Sequence, residues 1–301
     1  MTVSRGAFVG LVLGSLASVL WGSVNVCARY LVDSRGLDPM FVASVRFCSG
    51  ALAALGFMIL TGRGRDLRAA TRELPLLLLL GAIGIFAMGS MVFLSARYTA
   101  SVNSAVILNA NPLFIALLAP LAGERVPWLR RLGVLLGLGG CVLVSLGHAT
   151  QASASTNDLL GCGFAALGAF FWASYTVMGK GVTQRCGGLA SATWSLVGGA
   201  VLFLLVVSLT GGARALTLSE AAVGLYLGIG PTAVAMLAWY RALECVDASL
   251  LGPTQYLAIL GGALLGWLLL GENLTAMLIL GAAIIVVGLF LATHEPDRPV
   301  E

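Results

Sequence analysis

The chain predicts an all-α, polytopic integral membrane protein of ten transmembrane helices, arranged as two five-helix repeats of inverted topology. Three observations carry this. Hydrophobic residues fill 59% of the 301 positions and charged residues only 10%, against about 25% charged in soluble domains, so the chain cannot cover itself with a water-facing surface. Ten apolar stretches are each close to the ~20 residues that cross a ~30 Å hydrocarbon core as a helix. The chain also repeats itself. "LWGSVNVCARYL" at Leu20–Leu31 returns as "FWASYTVMGKGV" at Phe171–Val182, and "GERVPWLRRLGVLLGLGG" at Gly123–Gly140 returns as "GENLTAMLILGAAIIVVG" at Gly271–Gly288, a shift of 148 residues in the second case. An odd number of spans in each copy inserts the second copy upside down.

Taken in order, the expected spans of the first copy (1–147) are Ala7–Ala28, Met40–Leu60, Pro75–Ala96, Ser101–Ala122 and Leu129–Gly147. The first is too long for a signal core and ends without a small-residue cleavage box, so it reads as retained. A polar stretch at 148–158, "HATQASASTND", reads as a linker. The second copy (159–293) holds Leu159–Gly179, Leu189–Thr210, Ala221–Tyr240, Ala248–Leu270 and Thr275–Thr293, and 294–301 is a tail. Small-residue rows at Gly10/Gly14, Gly133/Gly137, Gly224/Gly228 and Gly262/Gly266 predict close helix contacts.

Charge placement gives the orientation. Arg5, Arg63, Arg65, Arg68, Arg72, Arg125, Arg130, Arg131, Lys180, Arg185, Arg241 and Arg298 fall in loops on the side of the termini; Arg29, Arg35, Arg97 and Arg214 fall on the other. The positive-inside rule then puts both termini in the cytoplasm. The basic loops are topology signals and give no reason to expect nucleic acid. Six scattered cysteines without a CxxC pair read as packing residues. Nothing calls for a metal or other cofactor.

Helix breakers cluster in equivalent spans, with Pro112 and Pro120 in the fourth and Pro253 in the ninth; Pro231 adds a break in the eighth. Each proline removes a backbone donor and frees a carbonyl. Inside a membrane that carbonyl must meet protein, water or solute. Interrupted helices at matching positions point to a transport site, and a plain structural kink is the alternative.

"LWGSVNVCARYL", "SVRF" at Ser44–Phe47, "ARYTASVNSAVILNANPLFIALLAPLAGERV" at Ala96–Val126 and "RALECVDASLLGPTQYLAILGGALLGWLLLGENLT" at Arg241–Thr275 resemble the two EamA repeats of the drug/metabolite transporter superfamily. The resemblance covers almost the whole chain, and the paired Gly-Glu endings are its most specific part. It implies a multi-pass protein of the bacterial inner membrane with a central cavity. It also implies export of amino acids or related small metabolites.

The embedded polar residues give the expected site. Arg46 lies about six residues into the second span, roughly 9 Å below the edge of the membrane at 1.5 Å per residue. A guanidinium there can anchor a carboxylate through two parallel hydrogen bonds; it can also snorkel to water or pair with helix-end carbonyls. Its counterpart in the second copy is Trp194. Around it, Trp21 and Asn25 on the first span, Asn109 and Asn111 on the fourth, Trp172 and Tyr175 on the sixth, Trp239 on the eighth, and Gln255 and Tyr256 on the ninth are candidates to line a cavity. For the tryptophans, interfacial belts are the alternative. All thirteen acids fall in loops or at span ends, which disfavours exchange of a lipophilic cation for a proton at a mid-membrane carboxylate. Glu124 and Glu272 read as caps of the helices that follow them.

The expected function is alternating-access transport of a carboxylate-bearing solute, with the lipid bilayer as the other partner. The same fold carrying a cationic drug or a phosphorylated or nucleotide-linked metabolite is the alternative. Enzymatic activity is not expected, because no nucleophile–base pair is visible. Monomer and homodimer stay equally open.

Overall fold

The computed structural model describes residues 5–98, 101–147, 158–270 and 275–293. The expected linker up to 157, the tail, Gly271, Glu272 and the side chains of Asn25 and Asn103 lie outside the described residues. Among the described residues, ten helices are long and apolar enough to span a bilayer. They are α1 (Arg5–Ser34), α2 (Pro39–Leu60), α3 (Gly64–Ser95), α4 (Ser104–Ala122), α5 (Trp128–Leu146), α6 (Leu159–Cys186), α7 (Gly188–Thr210), α8 (Leu218–Cys245), α9 (Ala248–Leu265) and α10 (Ala276–Thr293).

The two halves pack by exchange. Helix α1 of the first half lies against α8 and α9 of the second, and α6 of the second lies against α3 and α4 of the first. Helix α2 packs on α7, and α5 on α10. These pairings map onto one another when the halves are swapped, as a pseudo-two-fold axis in the membrane plane requires. Twin residues in contact must straddle that axis. Trp21 and its counterpart Trp172 meet edge-on with ring centroids 5.1 Å apart, so the axis passes between them.

Glycines set the closest seam. On α5, a Cβ at Gly140 would stand 2.7 Å from the carbonyl oxygen of Gly281, and one at Gly133 would stand 2.5 Å from that of Gly288, both on α10. Backbone meets backbone there, and no side chain can be added without parting the helices.

Four helices run beyond the expected spans. The stretch expected as a loop before the third span is helical over Gly64–Ala70 and forms the first part of α3. It buries Leu67 and Ala70 and turns Arg65 and Arg68 to solvent, the one-sided pattern of an interfacial helix. Helices α1, α6 and α8 run past their expected ends to Ser34, Cys186 and Cys245, α1 through a π segment, Arg29–Ser34, where a loop was expected. Lys180 and Arg185, expected in a loop, are therefore helical; Lys180 Nζ donates to the carbonyl of Val246, 2.6 Å away, at the end of α8.

The breaks follow the prolines unevenly. In α4 the helix stops at a turn, Asn109–Ala110, and Pro112 opens the next helical piece, Asn111–Leu118. In α9 Pro253 sits in a 3₁₀ stretch, Gly252–Tyr256. Pro120 lies in the last 3₁₀ turn of α4 and ends that helix without dividing it. Pro231 does not break α8; the helix widens there to a π-helix over Ile229–Val234. An equivalent widening, Ala82–Ala87, occurs in α3 without any proline. The repeat therefore specifies the widening, and π segments are frequently found at functional sites.

Candidate functional site

Arg46 projects from α2 into the bundle. Its Nε donates to Thr232 Oγ1 at 2.8 Å, and its guanidinium carbon lies 4.8 Å from the centroid of the Phe47 ring. Thr232 is buried within the π segment of α8. Cys27 of α1 is within electrostatic range. Arg46 thus sits where α1, α2 and α8 converge. The hydroxyl it touches is neutral, and among the described residues no carboxylate forms an ion pair with it. An embedded cation held only by a neutral group keeps most of its capacity to bind an anion.

Below it lies an aromatic group. Trp21 contacts Trp172 at 5.1 Å and Trp239 at 5.2 Å, and Trp172 and Trp239 are 6.2 Å apart. Tyr175 extends the group from Trp172 at 5.4 Å to Tyr240 at 5.2 Å, and its hydroxyl is 2.9 Å from Ser195 Oγ. Trp172 and Trp239 are buried, and their indole N–H groups have no hydrogen-bond partner among the described residues. Asn111 Oδ1 and Gln255 Nε2 are buried and likewise have no partner among the described residues. Groups like these cost free energy unless something else satisfies them. Two such groups, on Trp172 of α6 and Trp239 of α8, lie together in the aromatic group, with ring centroids 6.2 Å apart.

Sequence spacing fixes the separation of the two features. Cys27 follows Trp21 by six residues on α1, and Thr232 precedes Trp239 by seven on α8. At 1.5 Å per residue the arginine level stands roughly 10 Å from the tryptophan level on both helices.

Other candidates lie elsewhere. The Tyr256 hydroxyl donates to the carbonyl of Val134 at 2.8 Å, and its ring packs with Cys141, Val144, Leu278 and Ile285 in the α5–α10 seam. The Trp194 indole donates to the carbonyl of Leu67 at 3.1 Å, tying the interfacial helix to α7. Asn109 turns back on its own helix, donating to the carbonyl of Ala105 at 2.6 Å.

The end of the bundle where α4 finishes and α9 begins is tied across the halves. Glu124 does not cap α5, the helix that follows it. Its two carboxylate oxygens accept from the backbone N–H groups of Ala248 and Ser249, at 2.8 and 2.9 Å, at the start of α9 in the other half. Gly123, at φ +81°, makes the left-handed turn that sends the chain there. Arg130, counted from sequence among the loop charges, is buried; it donates to Ser249 Oγ at 2.9 Å and to the carbonyl of Ala292 at 3.3 Å. Glu73 pairs with Arg185 at 2.9 Å. Arg63, Arg72 and Arg241 join that pair in lining a cleft of about 470 Å³ at the same end. Sequence reasoning could not find these cross-half ties, because each partner is more than a hundred residues away.

The sequence profile of the EamA-like transporter family matches residues 8–146 and again 159–293. The inner membrane transporter YedA of Escherichia coli K12, named as uncharacterized, is 28% identical over 291 residues, covering 94% of this chain and 91% of that protein. An uncharacterized transporter of Clostridium kluyveri is 23% identical over 93% of this chain and 91% of its own length. A protein named a probable terminal-alkyne amino-acid exporter, from Streptantibioticus cattleyicolor, is 24% identical over 93% of this chain and 92% of its own. A solved crystal structure superposes with a TM-score of 0.83 at 24% identity, covering 94% of this chain and 96% of that one; at that identity it speaks to the fold.

Proposed function

The chain belongs to the EamA-like transporter family, and from that membership we propose that it exports small carboxylate-bearing solutes, amino acids foremost, across the bacterial inner membrane. The observation that carries this reading is Arg46, an embedded guanidinium whose neighbour is a neutral threonine, set roughly 10 Å from an aromatic group by helix rise. A carboxylate bound by the Nη1–Nη2 edge of the guanidinium, the one its bond to Thr232 leaves free, lets an apolar body point towards Trp21, Trp172 and Trp239. The indole N–H groups then offer hydrogen bonds to acceptors on that body. The relative named as an amino-acid exporter supports the same class.

Two units, 1–147 and 159–293, rock about the axis between Trp21 and Trp172. The breaks in α4 and α9 and the π segments in α3 and α8 are the flexible points. The end bearing the termini faces the cytoplasm, in keeping with its arginines. A cation-exchange mechanism is poorly served, since no acidic side chain is seen in the middle of a span among the described residues.

The test is transport of labelled amino acids in proteoliposomes by the wild type and by Arg46→Ala. The wild type should accumulate at least one carboxylate solute, and Arg46→Ala should insert normally yet fail to move it. Wild-type movement of cationic dyes alone would overturn the reading.

A further inference from the structure

The arginine-lined cleft shares no residue with the proposed cargo site, and both halves build it. Arg63 and Arg72 flank the interfacial helix Gly64–Ala70 of the first half; Arg185 of α6 and Arg241 of α8 come from the second. Three acids line it as well, Asp66, Glu73 and Glu244. Two of them are already paired. Glu73 holds Arg185 at 2.9 Å, and Glu244 holds Arg241 and the backbone N–H of Gly188. That leaves Arg63 and Arg72 against Asp66, and neither arginine forms an ion pair among the described residues. Four guanidinium groups therefore face three carboxylates. The start of α7, whose cap Gly187 also lines the cleft, adds the positive end of a helix dipole.

The cleft also borders a lipid-facing surface. Ile59 and Leu60, the last residues of α2, are 65% and 88% exposed, and Arg63 follows three residues after Leu60. The interfacial helix turns Leu67 and Ala70 inward and Arg65 and Arg68 outward. An apolar rim beside a cleft of excess positive charge matches the two parts of a phospholipid, its acyl chains and its phosphate. A soluble anion would use only the second.

We propose that this cleft binds the phosphate of an anionic phospholipid, held by Arg63 and Arg72, with the acyl chains along Ile59 and Leu60. The proposal rests on the orientation proposed for the transporter only for the choice of leaflet, the cytoplasmic one. The two guanidinium groups take the phosphate oxygens in charge-assisted hydrogen bonds. A choline headgroup brings its own cation to a cleft that already holds an excess of positive charge, so an anionic headgroup is preferred.

Binding of a fluorescent phosphatidylglycerol to the purified full-length protein in detergent tests this without any cargo. Unlabelled phosphatidylglycerol should displace the probe, and phosphatidylcholine of the same chains should need about tenfold more. Inorganic phosphate should displace little. The double variant Arg63→Gln/Arg72→Gln should weaken binding about 30-fold, about fivefold for each arginine. Each single variant should show its own fivefold loss, which keeps the readout should the double variant fail to fold. Arg65→Gln/Arg68→Gln, on the outward face of the same helix, should bind the probe as the wild type does. Equal losses in the two double variants would overturn the site and leave diffuse attraction to a basic surface. Inorganic phosphate as effective as the lipid would overturn the lipid and assign the cleft to a soluble phosphate compound. Arg46→Gln should bind the probe normally, so a wrong cargo and a wrong lipid site give different results.

Discussion

The two five-helix halves share a frame and differ in furnishing. Both carry a π segment in the third helix, a break in the fourth and a glycine seam along the fifth. Yet Arg46, facing Thr232, corresponds to Trp194, which ties down the interfacial helix through Leu67. Arg130, with two bonds across to the second half, corresponds to Leu278 in an apolar cluster. The lesson is a division of labour. The seam glycines keep their residue type between the copies and build the scaffold, as do the twin tryptophans Trp21 and Trp172 on either side of the axis; Arg46 and Arg130 change it, and on our proposal Arg46 is what gives one half its hold on the cargo.

The sharpest way to break that comparison is at the seam. Gly140→Leu and Gly288→Leu should both abolish folded protein, because each new side chain would start within 2.7 Å of facing backbone. Overpacking that cannot relax costs more than the usual ~1–3 kcal/mol. Gly139→Leu, next door with nothing within 4 Å, should express normally. Unequal outcomes for Gly140 and Gly288, read as monodisperse yield, would deny a shared scaffold. Next in size, Arg46→Ala should cut transport by about 100-fold, the scale of removing one partner of a desolvated charge pair, with little loss of yield. Trp239→Phe keeps an aromatic ring and removes one indole N–H, and should change relative rates among solutes by about tenfold. The smallest effect belongs to Trp194→Phe, which should lower stability by about 1 kcal/mol through its lost bond to Leu67 and leave solute preference alone.

Much of the frame was legible in the sequence because membrane helices announce themselves by length and composition. The inverted repeat was legible because its landmarks share one shift. The interfacial helix at Gly64–Ala70 escaped, since seven residues with two buried positions give too short a period to read against four nearby arginines. The π segment at Ala82–Ala87 left no mark at all, having no proline. Within the site, single residues were legible by type, and the structure sorted them by direction. Trp21, Trp172, Tyr175 and Trp239 converge, whereas Tyr256 faces the α5–α10 seam. Rotation about a helix axis decides this, and an all-round apolar span gives no period from which to read it. Glu124 was read as a cap, correctly in kind and wrongly in partner, because only tertiary structure brings Ala248 to it.

The central claim is that Arg46 reads a carboxylate above an aromatic floor. Counterflow in proteoliposomes with a matched pair, an amino acid of apolar side chain and its primary amide, tests it most directly. The wild type should favour the carboxylate by about 100-fold and Arg46→Gln should transport both poorly and without preference. Equal transport of acid and amide by the wild type, or an undiminished preference in Arg46→Gln, would contradict it.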